Sequence, residues 1–311
     1  MDPTTDLRSA LLYALKPASW SKLAVPGLLG TAVGVASAGR IDLSAAAFGW
    51  AYTALLLVGI VLLNDWADVD VDALKRRMFP EAGSPKTIPD GILSRQTVFR
   101  LGAGGLLGAF GTCVWLAGWY GRTEILAVGG LGIGLFVAYS LPPVRINAHG
   151  GGEVLEALGV GIVLPTYHAL LQHEGLALEH LLPFVPYAML SMASAIASGL
   201  ADERSDRRGG KVTVVTTWGN RRARRATEAA WIAGTLAYGL LPPLAPELVT
   251  PWAAFAAGGT SLFFGRTMLA WSDAATPEAW GPLRRYKGAL HRAIWGSGAV
   301  LALGIALGAV S

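Results

Sequence analysis

Apolar residues gather into nine long runs along the chain, Leu23–Ala38, Leu43–Leu63, Val98–Trp119, Ile125–Leu141, Val154–Leu171, Leu181–Leu200, Ala226–Leu241, Trp252–Trp271 and Ala289–Val310, with polar stretches between them. About 20 apolar residues at roughly 1.5 Å rise per residue reach across the hydrocarbon core of a bilayer. The pattern predicts an all-α fold: a polytopic membrane bundle of nine transmembrane helices in one domain, residues 1–311. Charge placement adds an orientation. With the N-terminus in the cytoplasm and the C-terminus outside, every one of the 25 Lys and Arg residues except Arg40 and Arg122 falls on the inner side. That is the positive-inside pattern, which one missed or extra helix would scramble.

Within the runs, Gly-x-x-x-Gly spacings at Gly30/Gly34 and Gly104/Gly108 predict close helix packing rather than a phosphate loop. His168, with Pro165 and Tyr167 in the fifth run, is a polar group in an apolar span. Such a residue is a site candidate by default, although a packing role bonded to a backbone carbonyl accounts for it. Residues 1–22 read as a short amphipathic lead anchored by Trp20 and Lys22, to which no chemistry is assigned.

The second run ends unlike the others, in Asn64-Asp65-Trp66-Ala67-Asp68-Val69-Asp70-Val71-Asp72. If the helix continues through it, Asp65, Asp68 and Asp72 share one face and Asp70 points away. A one-sided group of carboxylates calls for a hard divalent cation, most simply Mg²⁺, which binds through one or two carboxylates together with substrate phosphates. The sixth run ends similarly, with Asp202 and Asp206 one turn apart and a basic loop through Lys211 behind them. Six acids (Asp65, Asp68, Asp70, Asp72, Asp202, Asp206) at mid-bilayer would cost roughly 2.5–3.5 kcal/mol each. They are expected to line a polar cavity near one membrane face.

The loop over the first cluster, Ala73 to Gln96, is long and polar. Substrate phosphates bound with a metal need further cations, so Arg77 and Lys86 are candidate phosphate ligands. The fourth run closes on Tyr139-Ser140-Leu141-Pro142-Pro143-Val144-Arg145, which puts Tyr139 near the membrane face and leaves Arg145 as the one basic residue of its loop.

Asn64, Asp65, Asp68 and Asp72 with Asp202 and Asp206, each set at the end of a membrane helix, resemble the UbiA superfamily of intramembrane prenyltransferases. Gly210, Lys211 and Thr213 extend the second motif. Lys86-Thr87-Ile88-Pro89-Asp90-Gly91 stands where the family tends to read Arg-Pro-x-Pro-x-Gly, with Thr87 in place of the first proline. Tyr-Ser-x-Pro-Pro followed by Arg145, and then Gly150-Gly151-Gly152-Glu153, resemble members that prenylate naphthoates. The resemblance implies Mg²⁺-dependent transfer of an isoprenyl group from a polyprenyl diphosphate to an aromatic quinone precursor, with release of pyrophosphate. It implies Asp65, Asp68, Asp72, Asp202 and Asp206 as metal ligands, assisted by Asn64 and Tyr139, with Arg77, Lys86, Arg145 and Lys211 on the diphosphate. The expected setting is the bacterial inner membrane with the site facing the cytoplasm. Two alternatives stay open: an intramembrane terpene cyclase that needs no acceptor, and an ion-coupled transporter with the acids as its ion site.

Composition agrees with a membrane protein: 53% hydrophobic and 15% charged residues among 311, against about 25% charged in soluble domains. The net charge of +4 reflects topology and gives no support to nucleic-acid binding. Cys113 is the single cysteine, so no intrachain disulfide can form and redox compartment is not indicated.

Overall fold

A computed structural model describes residues 6–80 and 85–309 of the protein. Residues 1–5 of the amphipathic lead, residues 81–84 of the loop after the first acid cluster, and Val310 in the ninth run lie outside the described residues.

The described residues form helices joined by loops, with no strand among them. A short α1 (Leu7–Leu15) leads into α2 (Ser21–Ala38) and α3 (Leu43–Ala67), and α4 (Val69–Met78) prolongs α3 after a break at Asp68. Then come α5 (Arg95–Tyr120), α6 (Thr123–Ser140), the short α7 (Ile146–His149), and α8 (Gly152–Leu158), which runs through a π-turn, Gly159–Val163, into α9 (Leu164–Gln172). The second half holds α10 (Leu178–Leu181), α11 (Phe184–Gly199), α12 (Glu203–Arg208), α13 (Val214–Trp218), α14 (Asn220–Ala237), α15 (Leu241–Leu244), α16 (Pro251–Trp271) and α17 (Trp280–Gly308).

Local chemistry sets the ends. Asp42, Ser94 and Thr250 cap α3, α5 and α16 by accepting backbone N–H groups, the donors that a helix start leaves unpaired. Gly39 and Gly121 end α2 and α5 in the left-handed region, φ 64° and 65°, which glycine enters without steric cost.

Among the described residues, seven helical stretches are long and apolar enough to cross a membrane: Ser21–Ala38, Leu43–Ala67, Arg95–Tyr120, Thr123–Ser140, Gly152–Gln172, Leu178–Gly199 and Trp280–Gly308. The seventh and eighth apolar runs are helical too, as α14 and α16, but are not among those seven. Arg221, Arg222, Arg224 and Arg225 occupy the first turns of α14.

Two boundaries and one side-chain contact differ from the sequence expectation. Residues 73–78 belong to α4 rather than to a loop, because Asp72 and Lys75 turn inward on one face of a continuing helix. Arg284, Arg285 and Lys287 lie on α17, whose first turns bury Leu283 and Tyr286 and so extend the helix beyond its apolar core. Among the described residues His168 bonds no carbonyl: it bridges the hydroxyls of Thr53, at 2.7 Å, and Thr31, at 3.3 Å, pinning α9 between α3 and α2.

Among the described residues two large apolar cores and a small one around Ala14, Leu62 and Val98 share the interior. One large core joins α2, α11, α14, α16 and α17; the other joins α3, α5, α6 and α9. Where α2 meets α9, a Cβ on Gly30 would stand 2.1 Å from the Pro165 carbonyl oxygen, so the two backbones touch. Large apolar side chains such as Leu107, Leu236, Trp252 and Phe255 face outward, as suits a bundle whose solvent is lipid.

Candidate active site

The α3–α4 break brings the first motif together. Asp65, Asp68 and Asp72 are buried and Asp70 is exposed, the one-sided arrangement that their spacing predicts. Each buried acid meets a partner from elsewhere in the chain. Asp65 takes Lys16 Nζ at 2.5 Å and the Thr87 hydroxyl at 2.6 Å. Asp68 takes Arg145 Nη2 at 2.9 Å and Lys211 Nζ at 2.6 Å, and Asp72 takes Lys86 Nζ at 2.5 Å. Asp202 of the second motif pairs with Lys75.

Two of these pairs cross between the motifs. Lys211 follows the second motif yet holds Asp68 of the first, and Lys75 follows the first yet holds Asp202 of the second. The clusters therefore sit at the same end of the bundle, where α4 packs on α12. Asp206 is buried on α12. Burial raises its carboxyl pKa, partly offset by Lys211, while Asp68 adds to the rise. Burial also raises Asp72 against the pull of Lys86, and it draws Lys75 down to about 7 with help from the Lys86 and Lys287 charges.

The loops that deliver these cations are built for the purpose. Among the described residues, the non-glycine residues in the left-handed region are Lys16, φ 50°, and Arg145, φ 41°. Both donate to motif acids. Such backbone costs on the order of 1–3 kcal/mol and persists where surrounding contacts enforce it. The Arg145 loop is latched to the second motif by the Val212 N–H on the Ala148 carbonyl, 2.9 Å, and by Glu153, which accepts the Val214 N–H at 2.8 Å. Among the described residues Arg145 Nε is buried without a hydrogen-bond partner, a donor left over at the acid cluster. Lys86 is positioned by Asp90, which accepts the Lys86 N–H at 2.9 Å and grips Arg76 through both carboxylate oxygens at 2.7 Å.

A cavity of about 260 Å³ opens beside the first motif. Its lining includes Asn64, Ile60, Leu56 and Tyr52 along α3, a run of about 18 Å at 1.5 Å per residue. Lys16, Lys22, Asn64, Tyr139 and Glu156 make it polar at the motif end. Tyr52 and Tyr167 mark the other end, with ring centroids 4.2 Å apart and the Tyr52 hydroxyl on the Gly129 carbonyl at 2.8 Å. The π-turn supplies Gly159, Val160 and Val163 to the wall.

Of the residues singled out from sequence, Asn64, Asp65, Asp68, Asp72, Asp202, Asp206, Lys86, Arg145 and Lys211 converge here. Asn64 is held by the Ser140 hydroxyl, 3.0 Å, and Tyr139 lines the cavity. Arg77 does not join them: it is exposed on α4 and makes no ion pair among the described residues. Lys16, Lys75, Thr87 and Asp90 went unassigned in the sequence. Lys75 carried a signal, since Asp68, Asp72 and Lys75 fall on one helical face; Lys16 carried none. Thr87, where the family pattern has proline, puts its hydroxyl on Asp65.

The carboxylate oxygens are hard donors of the kind that Mg²⁺ takes. Among the described residues no three Asp, Glu, His or Cys converge closely enough to hold a metal by themselves. That fits a cation that binds through one or two carboxylates and completes its shell with phosphate oxygens and water.

The chain matches the UbiA prenyltransferase family over residues 23–288. No curated protein matches it. Among solved structures, a UbiA homolog from Archaeoglobus fulgidus bound to GPP and Mg²⁺ aligns with a TM-score of 0.67 at 17% identity, covering 94% of this chain and 99% of that one. A UbiA homolog from Aeropyrum pernix K1, in its apo form, gives 0.66 at 16% identity over 90% and 98%. A structure concerned with digeranylgeranylglyceryl phosphate synthase gives 0.61 at 11% identity over 96% and 99%. At these identities the likeness is one of fold.

Proposed function

This chain belongs to the UbiA prenyltransferase family, and on that premise we propose that it transfers an isoprenyl group from a polyprenyl diphosphate to an aromatic quinone precursor, such as a naphthoate, within the membrane. The observation that carries this reading is the crossed pairing of Lys211 with Asp68 and Lys75 with Asp202. It joins two acid motifs into one cluster at the mouth of an apolar cavity. A prenyl diphosphate has the complementary shape, an anionic head on a hydrocarbon tail.

In this reading Asp65, Asp68, Asp72, Asp202 and Asp206 would hold Mg²⁺, one or two carboxylates to an ion, and the metal would supply positive charge to the pyrophosphate leaving group. Lys86, Arg145 and Lys211 turn from carboxylates to the diphosphate oxygens when it binds, and Arg77 is a further candidate from the exposed side of α4. Arginine suits the task because its fork matches two phosphate oxygens at once. The apolar cavity wall keeps water from the allylic carbocation. Tyr139 turns a ring toward the same space.

The reading includes nine crossings, with the N-terminus and both motifs on the cytoplasmic side of the plasma membrane and the C-terminus outside. It is supported by the basic residues gathered around the motif loops and by the outward Leu236 on α14 and Trp252 and Phe255 on α16. The test is incubation of purified protein with geranyl, farnesyl and longer diphosphates, with and without hydroxybenzoate and dihydroxynaphthoate acceptors. Prenylated acceptor and pyrophosphate, abolished by EDTA and restored by Mg²⁺, are the expected products. Cyclic hydrocarbon from the diphosphate alone would favour a cyclase instead, and cation uptake into vesicles without pyrophosphate release would favour a transporter.

A further inference from the structure

Glu156 lines the polar end of the cavity but belongs to neither acid motif. It lies on α8, inside the membrane-length stretch Gly152–Gln172, and its side chain is 13% exposed. Oε1 stands 2.6 Å from Lys22 Nζ in an ion pair, and among the described residues it accepts no further hydrogen bond. Oε2 has the Tyr139 hydroxyl at 3.5 Å, the outer limit of such a bond. Here is a carboxylate within a membrane-length helix whose charge is balanced by Lys22 on one oxygen and whose other oxygen has only a long contact, to Tyr139.

Stability alone does not account for it. A buried ion pair is commonly no better than an apolar pair of the same size, and an acid within a span costs roughly 2.5–3.5 kcal/mol on insertion scales. Its position is more telling. Consecutive residues of α6 reach the two sides of the cavity mouth: Tyr139 approaches Glu156, and Ser140 donates to Asn64, the neighbour of Asp65. Glu156 therefore stands beside the place where the diphosphate head meets the tail, with an aromatic ring next to it.

We propose that Glu156 is the proton acceptor of the transfer and recognises a ring hydroxyl on the aromatic acceptor; this rests on the transferase reading above. Lys22 sets the orientation of the carboxylate through their 2.6 Å ion pair. The allylic C–O bond breaks and its electron pair leaves with pyrophosphate. The hydroxyl proton passes to Glu156 as the electron-rich ring forms a C–C bond to the prenyl carbon, giving a dienone. Tautomerisation then moves the proton of the alkylated carbon to the oxygen. One diphosphate and one acceptor yield prenylated acceptor, pyrophosphate and one proton, which Glu156 returns to water.

The experiment compares wild type and Glu156→Gln in the full-length protein, with geranyl diphosphate and either 4-hydroxybenzoate or 1,4-dihydroxy-2-naphthoate. The variant is expected to bind geranyl diphosphate within about twofold of wild type while kcat falls by about 100-fold or more, the usual range for a lost general base. A kcat within about threefold of wild type overturns the proposal and leaves the transferase reading standing. Failure of wild type to transfer to either acceptor overturns both. Should Glu156→Gln no longer bind geranyl diphosphate, Glu156→Asp keeps the ion-pair charge but withdraws the carboxylate by one methylene. It is expected to bind the diphosphate and lose at least about tenfold in kcat, and an unchanged kcat overturns the proposal.

Discussion

Lys211 Nζ lies 2.6 Å from Asp68 Oδ2, across 143 positions of sequence, and both side chains are nearly enclosed. The contact ties the loop behind one acid motif to the break in the middle of the other. Arg145 shares Asp68, so removing Lys211 leaves that acid compensated. Lys211→Met is expected to fold and to raise the KM for prenyl diphosphate by about 10-fold or more, the equivalent of one lost charge-assisted hydrogen bond of roughly 1.5–3 kcal/mol. A diphosphate titration at saturating acceptor reads this, and an unchanged KM removes Lys211 from the head-group site.

Asp65 and Asp202 stand in different motifs and are paired with different lysines. Asp65→Ala and Asp202→Ala should each cut pyrophosphate release by on the order of 10²–10³, with membrane insertion intact. Asp70→Ala should keep near-normal turnover because its side chain is exposed. Comparable losses in all three would mean that acidity of the segment matters and its geometry does not.

Asp90 offers a pH test. Burial would raise its carboxyl pKa, but hydrogen bonds from Arg76, Tyr13 and the Lys86 N–H outweigh this and hold it below the ordinary 3.8. A folded pKa below the unfolded one gives stability that is present above the unfolded value and is lost as pH falls through the folded one. Asp90→Asn should lower stability by about 1–3 kcal/mol at pH 7. The gap from wild type should begin to shrink as pH drops past 3.8 and close below the folded value. Thermal unfolding of both proteins across that range checks it, and a gap that persists in acid would assign the loss to packing.

Gly30 and Gly104 share a sequence spacing but not an environment. A Cβ on Gly30 would strike the Pro165 carbonyl, whereas one on Gly104 would meet nothing within 4 Å. Gly30→Ala should destabilise the protein by about 1–3 kcal/mol through overpacking, and Gly104→Ala should be near neutral. Equal detergent-melting temperatures for the two variants would contradict the α2–α9 contact.

Tyr52 and Tyr167 close the cavity at the end away from the acids. Tyr52→Ala should lengthen it and shift preference toward longer diphosphates, read as the ratio of kcat/KM for farnesyl over geranyl diphosphate. An unchanged ratio would mean that the tail runs elsewhere.

The sequence by itself determined the helices and the acids. Apolar runs and capping residues act within a few positions, so α3, α5 and α6 were legible to within a turn or so, and the shared face of Asp65, Asp68 and Asp72 followed from helical repeat alone. The seventh and eighth runs were helical as read, yet hydropathy alone does not place them in the bilayer: arginines at the start dilute α14, and Gly, Ser, Thr and Arg266 dilute α16. Tertiary structure decided which cation meets which acid. Lys16 reaches Asp65, Thr87 fills a proline's place with a hydroxyl, Asp90 sets Lys86, and Glu156 faces the cavity rather than lipid. Those relationships join residues 4 to 143 positions apart. They depend on how rigid helices pack and where loops are forced to turn, a long-range outcome that local periodicity does not encode.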